Sequence, residues 1–388
     1  MRAPPIEVRA KRGAMLGMPP SNFLRDYWQK KPLLIRGAFA SAEWMKPNDL
    51  AGLACEELAL SRIVQHDAKR DRWKVRNGPF AESDFAKLGN RDWTLLVQDV
   101  DKWDVDVAAI LPHFNFVPSW RVDDVMISYA EEGGGVGAHV DHYDVFLIQG
   151  LGQRRWRIDD RKNAPTTFRD DVELKLLKHF DPTHEWILDA GDMLYLPPGV
   201  PHQGVAIGDC MTYSVGMRAP SQAELLIDFA ESVAEPLGEE ARLVDPDLSP
   251  STNADEITPD SIGRVRAALP WLGAVDDAQF TDWFGRYITR YRAAHEAAPG
   301  SRPITTKRLA EKLATHSVAR NPWSRIAWAR SRSRATLFVA GDSFPCSIAA
   351  AKLIAGSRKI DGRDLLKHAS SFPLFAELIN RGHWTLIR

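Results

Sequence analysis

Cysteine is nearly absent from this chain: Cys55, Cys210 and Cys346 are widely spaced among 388 residues and odd in number. That argues against a disulfide framework and suits a reducing compartment, so a cytoplasmic location is expected. Long apolar runs are also missing. None approaches the roughly 20 residues that cross a bilayer, and Met1-Arg-Ala-Pro-Pro-Ile-Glu-Val-Arg9 lacks the apolar centre of a secretory signal. The formal net charge is −1, so no global field draws the chain to nucleic acid or membrane. Internal repeats and low-complexity tracts are lacking as well. What is present is ordinary for a soluble globular protein, 44% hydrophobic and 26% charged, and long enough for two or three domains.

Two stretches stand out. The first is Gly133-Gly-Gly-Val-Gly-Ala-His139-Val-Asp141-His-Tyr143, and the second is Gly191-Asp-Met-Leu-Tyr-Leu-Pro197-Pro-Gly199-Val-Pro-His202. If the first is a strand, His139, Asp141 and Tyr143 share one face while Val140 and His142 point the other way. A histidine and a carboxylate two residues apart can then grip one ion. His202 follows a Pro-Pro-Gly turn after a buried strand and is placed to be the third ligand. Two imidazoles and one carboxylate on one side of a metal leave the opposite positions open, as in non-haem Fe(II) oxygenases. His142 is excluded by strand parity. His179 and His184 are expected in an exposed loop, and His113 and His66 have no supporting context.

The second stretch fits the second cupin motif, without its later Asn. In the first, Asp141 stands where many cupins have a second histidine, and the downstream Glu is absent. His-x-Asp with a distant His resembles the JmjC-type 2-oxoglutarate oxygenases. Asp123-Asp-Val-Met-Ile-Ser128, Asp144-Val-Phe-Leu-Ile-Gln-Gly150 and Arg154-Arg-Trp-Arg157 resemble the bacterial ribosomal-protein arginine hydroxylases, strongly from about Phe23 to Arg218 and more weakly beyond. The resemblance implies Fe(II), with 2-oxoglutarate and O2 as cosubstrates.

In chain order, Phe23–Trp28 and Asn48–Glu57 read as helices. Leu33–Ile35, Arg72–Arg76, Trp93–Val100, Trp120–Tyr129, Val145–Ile148, Arg154–Ile158, Trp186–Leu188, Met193–Leu196, Val205–Ile207 and Met211–Val215 read as strands. Gly150-Leu-Gly152 is expected to turn the chain between two of them. Many short strands with Gly/Pro turns suggest a sandwich or barrel; with the cupin signatures the expectation is a mainly β catalytic domain, a double-stranded β-helix, over residues 1–220. Residues 221–300 read as a helical region opened by the capping box Ser221-Gln-Ala-Glu224. There Phe280, Trp283, Phe284, Tyr287, Ile288 and Tyr291 form an aromatic stripe. It packs either inside the monomer or against a second copy, and the resemblance favours a homodimer. The Pro-, Asp- and Ser-rich stretch 236–260 reads as a long loop. Residues 301–388 suggest a winged-helix-like α+β domain. Its stretch 301–334 holds nine Lys/Arg and one acid, Glu311, a solvated face or a nucleic-acid face.

The resemblance places Arg154 where a cation must hold the distal carboxylate of 2-oxoglutarate, and a guanidinium fork suits a carboxylate. Arg154 and Trp156 share a face opposite to Arg155 and Arg157. Thr212 and Ser214 share a face of the last core strand and can add hydroxyl contacts to the cosubstrate. Asp124, by parity with Met126 and Ser128, and Tyr143, next to the metal ligands, are candidates for holding a substrate guanidinium. The expected activity is hydroxylation of a side-chain carbon, by resemblance of an arginine in a large-subunit ribosomal protein. A histidyl hydroxylase, a lysine demethylase, or a catalytically silent ribosome-binding cupin are the alternatives.

Overall fold

The computed structural model describes residues 5–11, 14–238, 241–243, 259–269, 275–292, 295–300 and 302–388. Most of the stretch read above as a long loop lies outside them. The chain forms two compact units, Met1–Ala219 and Pro220–Arg388. Among the described residues no helix is long and apolar enough to cross a membrane.

The strands of the first unit are β1 (Glu7–Arg9), β2 (Leu33–Arg36), β3 (Ser61–Asp67), β4 (Arg72–Asn77) and β5 (Trp93–Val97). They continue with β6 (Val122–Ala130), β7 (Val145–Ile158), β8 (His184–Leu188), β9 (Met193–Leu196) and β10 (His202–Met217). Its helices are short: α1 (Pro20–Asp26), α2 (Pro47–Leu53), α3 (Glu82–Phe85), α4 (Val100–Trp103) and α5 (Val105–Ala108). All ten strands join one sheet in the order β1-β2-β9-β7-β10-β6-β5-β3-β4, with β8 on β7. Every pairing is antiparallel except β1 with β2. This is the expected double-stranded β-helix. One sheet face packs Phe146, Ile148, Tyr195 and Tyr213 against Phe23, Tyr27 and Phe114. The other gathers Val145, Leu147, Trp156, Ile158, Leu194 and Leu196 into a second cluster. Strands covered on both faces lose the apolar/polar alternation, which explains the near-continuous burial of residues 144–150.

Two expectations fail here. Gly150–Gly152 does not turn the chain. β7 runs on for 14 residues, and β10 likewise joins Val205–Ile207 to Met211–Val215 in one strand of 16 residues. The register between them shifts between Ile207 and Met211, so the glycines mark a β-bulge. Gly152 has φ +60, and a Cβ there would lie 2.1 Å from the Asp209 carbonyl oxygen. The second failure is the strand assumed for His139–Tyr143. Only His139 is paired, in a single antiparallel bridge to His202, and Asp141–Tyr143 lie in a loop and bend before β7. β3, unmarked in the sequence reading, pairs β4 with β5.

The second unit contains α6 (Gln222–Ala234), α7 (Pro259–Ala267), α8 (Asp277–Arg290), α9 (Thr306–Leu313), α10 (Ile348–Gly356), α11 (Gly362–Leu366) and α12 (Phe372–Asn380). Its strands are β11 (Ser317–Arg320), β12 (Ile326–Ser331), β13 (Arg334–Val339), β14 (Asp342–Cys346), β15 (Lys359–Ile360) and β16 (Trp384–Ile387), in sheets β15-β11-β16 and β12-β13-β14. The Ser221 capping box forms, with Ser221 Oγ accepting from the Glu224 N–H. Part of the aromatic stripe of α8 is covered within its own chain. Trp283, Tyr287 and Ile288 are buried, Trp283 Nε1 donates to Asp228 of α6 at 2.9 Å, and Phe229 stacks edge-on against Trp283. Gly285 is a mid-helix glycine because a Cβ there would meet the Phe338 ring at 2.3 Å. Phe280 remains 49% exposed, with Leu226 at 68% and Ile227 at 59% on α6.

Candidate metal centre and adjoining pocket

The glycine-rich stretch reaches the site by lying against β10. The Gly133 N–H donates to the Ala206 carbonyl and the Ala206 N–H to that of Gly134, while His139 and His202 exchange backbone bonds at 3.0 Å. Gly134 and Gly135 permit this closeness, since a Cβ would stand 2.2 Å from the Trp93 carbonyl oxygen or 2.5 Å from that of Gly204. The bridge brings the two imidazoles to 4.2 Å between centroids. Asp141 is held by its own backbone, whose carbonyl accepts from the Gly199 N–H at 2.8 Å. The Pro-Pro-Gly turn and the His-x-Asp segment therefore fix one another.

Ligand atoms of His139, Asp141 and His202 converge within 4.8 Å of one another. Asp141 Oδ2 lies 4.0 Å from His139 Nε2 and 3.6 Å from His202 Nε2. Each imidazole sets Nδ1 against a backbone carbonyl, His139 against Gly137 at 3.0 Å and His202 against Val200 at 2.9 Å. An Nδ1–H donor to a carbonyl leaves the lone pair on Nε2, facing the carboxylate, which is how a metal-binding histidine is oriented. Burial and then the neighbouring His139 push His202 down to about 4, so its imidazole is neutral and available as a ligand. Two nitrogens and one oxygen on one side fit a facial triad for Fe(II). His142 is exposed. So is His179, whereas His184, expected in the same loop, opens β8 and stacks on Trp186 beside Asp160.

Arg154 lies in the second half of β7 and is 3% exposed. It donates from Nη1 to Ser128 Oγ at 3.1 Å and Thr212 Oγ1 at 3.4 Å, and from Nη2 to the Gly204 carbonyl at 3.3 Å. All these partners are neutral, and Nε is buried with none. Burial pushes the guanidinium down from its ordinary value. A buried cation without an anion is costly, so the pocket is suited to a ligand carboxylate. Arg155 and Arg157 point away and pair with Glu185. Thr212 donates to Gln149 Oε1 at 3.1 Å, and Ser214 is buried on the same face of β10, opposite Leu147 and Met126. Ser128 and Gln149 were missed as pocket residues. Their signals were present: Ser128 shares the parity of Asp124, and Gln149 interrupts the apolar run Val145–Ile148.

Asp124 lies on β6 with its carboxylate near Gly216. Its Oδ2 accepts the Asp99 backbone N–H at 3.0 Å. Burial, then the charges of Asp123 and Asp99, push it up to about 7. Lys102 is taken by Asp101 and Asp99, and Arg218 by Asp123; among the described residues no ion pair neutralises Asp124. Tyr143 is 39% exposed. Desolvation and then the charges of Asp141 and Asp124 push its phenol up, so it stands in the field of both carboxylates. The loop that carries it is anchored by Asp144, fully buried, which accepts from the Tyr195 hydroxyl at 2.7 Å, Gln29 Nε2 at 2.9 Å and Arg121 at 3.3 Å.

Residues 109–225 match the JmjC domain family and residues 270–385 the ROXA-like winged helix. The ribosomal protein uL16 3-hydroxylase of Escherichia coli (strain K12) is 34% identical over 375 residues, covering 94% of this chain and 96% of that protein. A probable ribosomal oxygenase of Haemophilus influenzae is 41% identical over 212 residues, covering 53% of this chain and 51% of its own. Among solved structures, E. coli YcfD superposes with a TM-score of 0.84 at 32% identity, covering 96% of this chain and 99% of that one. A structure of the same ribosomal oxygenase in complex with cobalt and 2-oxoglutarate gives 0.81, at 32% identity and with the same coverage.

Proposed function

The chain belongs to the ribosomal oxygenase family of JmjC-domain, 2-oxoglutarate-dependent enzymes, and from that premise we propose that it hydroxylates a side-chain carbon of an arginine in a large-subunit ribosomal protein. The observation that carries the arginine is Asp124, a carboxyl without an ion-pair partner among the described residues, whose charge acts on the Tyr143 ring two residues from Asp141. A guanidinium entering there would give Asp124 a charge-assisted partner and Tyr143 a cation to stack on. His139, Asp141 and His202 would hold Fe(II). Arg154 would take the distal carboxylate of 2-oxoglutarate, with Ser128, Thr212 and Ser214 around it. When bound, the metal would let O2 act as the oxidant, one oxygen atom going to 2-oxoglutarate, which leaves as succinate and CO2, and the other to the substrate carbon. The protein's own task is orientation: Asp124 and Tyr143 hold the guanidinium so that one carbon of the chain behind it faces the iron.

The E. coli relative has uL16 in its name, which makes this organism's uL16 the first substrate to test. Incubation of its peptides with the protein, Fe(II) and 2-oxoglutarate should add one oxygen to an arginine, read by fragment-ion mass. Oxygen on a histidine or loss of a methyl group would overturn the arginine assignment, and succinate release without any peptide product would favour neither substrate.

We propose further that residues 221–300 serve self-association, as distinct from 301–388. Leu226 and Ile227 on α6 and Phe280 on α8 are the exposed apolar side chains that support a homodimer.

A further inference from the structure

The net charge of −1 conceals a division along the chain. Residues 301–388 hold sixteen Lys and Arg against five Asp and Glu, whereas residues 1–300 hold thirty-four against forty-six. No acid occurs between Glu311 and Asp342, and this stretch contains the β12–β13 hairpin. At its tip stands Arg330-Ser-Arg-Ser-Arg334, with all five residues exposed. Ser331 pairs with Arg334, so Arg332 and Ser333 form a two-residue turn, with Arg332 at φ 50. Among the described residues no ion pair is made by Arg330, Arg332 or Arg334. Elsewhere in the same unit Arg381 is held by Asp342 and Glu377, and Lys367 by Asp364.

Three guanidinium groups within five residues repel one another, and at an exposed tip they bury nothing that offsets this. The base of the hairpin is fixed by other residues. Ala335, Leu337 and Val339 enter the core of the unit, while Phe338 lies on the opposite face against Gly285. The tip is thus a cationic finger on a rigid root. We infer that it docks on the phosphate backbone of RNA. Arginine forks match phosphate oxygens in pairs, and the serine hydroxyls between them are short donors to the same oxygens. An acidic protein partner fits less well, because a protein interface is organised around an apolar centre and Arg330–Arg334 has no apolar side chain. The choice of RNA over DNA rests on the ribosomal substrate proposed above; the phosphate contact itself does not.

The test is fluorescence anisotropy of the full chain with a labelled RNA hairpin and a DNA hairpin of the same sequence, over a salt series, beside turnover of a short substrate peptide. Each phosphate contact contributes roughly 0.7 to 0.9 to the slope of log affinity against log salt. The variant with Arg330→Ser, Arg332→Ser and Arg334→Ser should lower that slope by roughly 2 to 3 and weaken RNA binding at least tenfold, with peptide turnover unchanged. The matching triple Lys variant should keep most of the binding, which guards against a folding defect. The proposal falls if the Ser variant binds RNA with the wild-type slope, if the wild type prefers DNA, or if the variant loses only a Glu-rich peptide. A wild type that binds RNA through the tip yet hydroxylates no ribosomal peptide would support this inference and sink the substrate reading.

Discussion

Replacing Arg154 tests the cosubstrate pocket most directly. In Arg154→Met the side-chain volume is roughly kept, but the guanidinium and its bonds to Ser128, Thr212 and the Gly204 carbonyl are lost. None of those partners is an anion, and Nε is already unpartnered, so the unliganded protein gives up a poorly compensated buried charge. Replacing such a charge by an apolar side chain is often neutral or stabilising; the melting temperature without ligand should therefore hold or rise. The liganded state should behave in the opposite way. Removing one member of a buried charged pair costs about 2–5 kcal/mol, which is a factor of about 30 or more in affinity. The KM for 2-oxoglutarate should rise at least 30-fold with any peptide, and the thermal protection that 2-oxoglutarate gives the metal-loaded wild type should vanish at the same concentration. A KM within threefold of wild type, with thermal protection retained, would refute the placement of the distal carboxylate on Arg154.

Further outcomes follow from the same geometry. His139→Ala and Asp141→Ala should abolish turnover and weaken metal binding by calorimetry, while His142→Ala should change both little because its side chain is exposed. Asp124 sits at about 7, above the ~4 of an unfolded aspartate, so its proton favours the fold at low pH. Stability relative to Asp124→Asn should be greatest below about pH 4 and decline as pH rises towards 7. Affinity for an arginine peptide should move the other way, strengthening from pH 6 to 8 in wild type but staying flat in Asp124→Asn; parallel profiles would remove Asp124 from the substrate site. Leu226→Glu with Ile227→Glu should yield monomers by sedimentation if α6 supports a homodimer. Trp283→Ala should instead lower the melting temperature, because its ring is covered by Phe229 within one chain.

The metal ligands were legible because His202 arrives in a motif whose prolines and glycine dictate local geometry, and His139 and Asp141 lie two residues apart. Strand parity alone does not join them. They converge through one backbone bridge and a loop tied to Gly199, a tertiary arrangement that periodicity does not encode. Gly150 and Gly152 misled for a related reason. A glycine at positive φ serves a turn and a bulge equally, and only the partner strand, with its own register shift, decides between them. The stripe on α8 shows a further limit: spacing says that Trp283 and Tyr287 are buried, but not against which chain. Arg154 was placed by the resemblance, and its side of the strand was readable because Arg154, Trp156 and Ile158 alternate locally, downstream of the irregularity.

The bulge where β7 pairs with β10 also has the character of a phase change along β7. Before it the odd-numbered residues Val145 and Leu147 belong to one cluster, and after it the even-numbered Trp156 and Ile158 join the same cluster. β10 keeps a single parity throughout, with Thr212 opposite Gln149 and Ala206 opposite Arg154. From Gln149 to Gln153 β7 advances four residues while β10 advances five between Ile207 and Thr212, and this mismatch of one is what brings Arg154 to the side of the sheet where Gln149 already points. Deleting one residue between Gly150 and Gln153 would leave the composition of the pocket strand almost intact and yet exchange its contents, sending Arg155 inward and Arg154 to solvent. The proposed cosubstrate anchor is in this sense set by a count of residues as much as by the arginine itself.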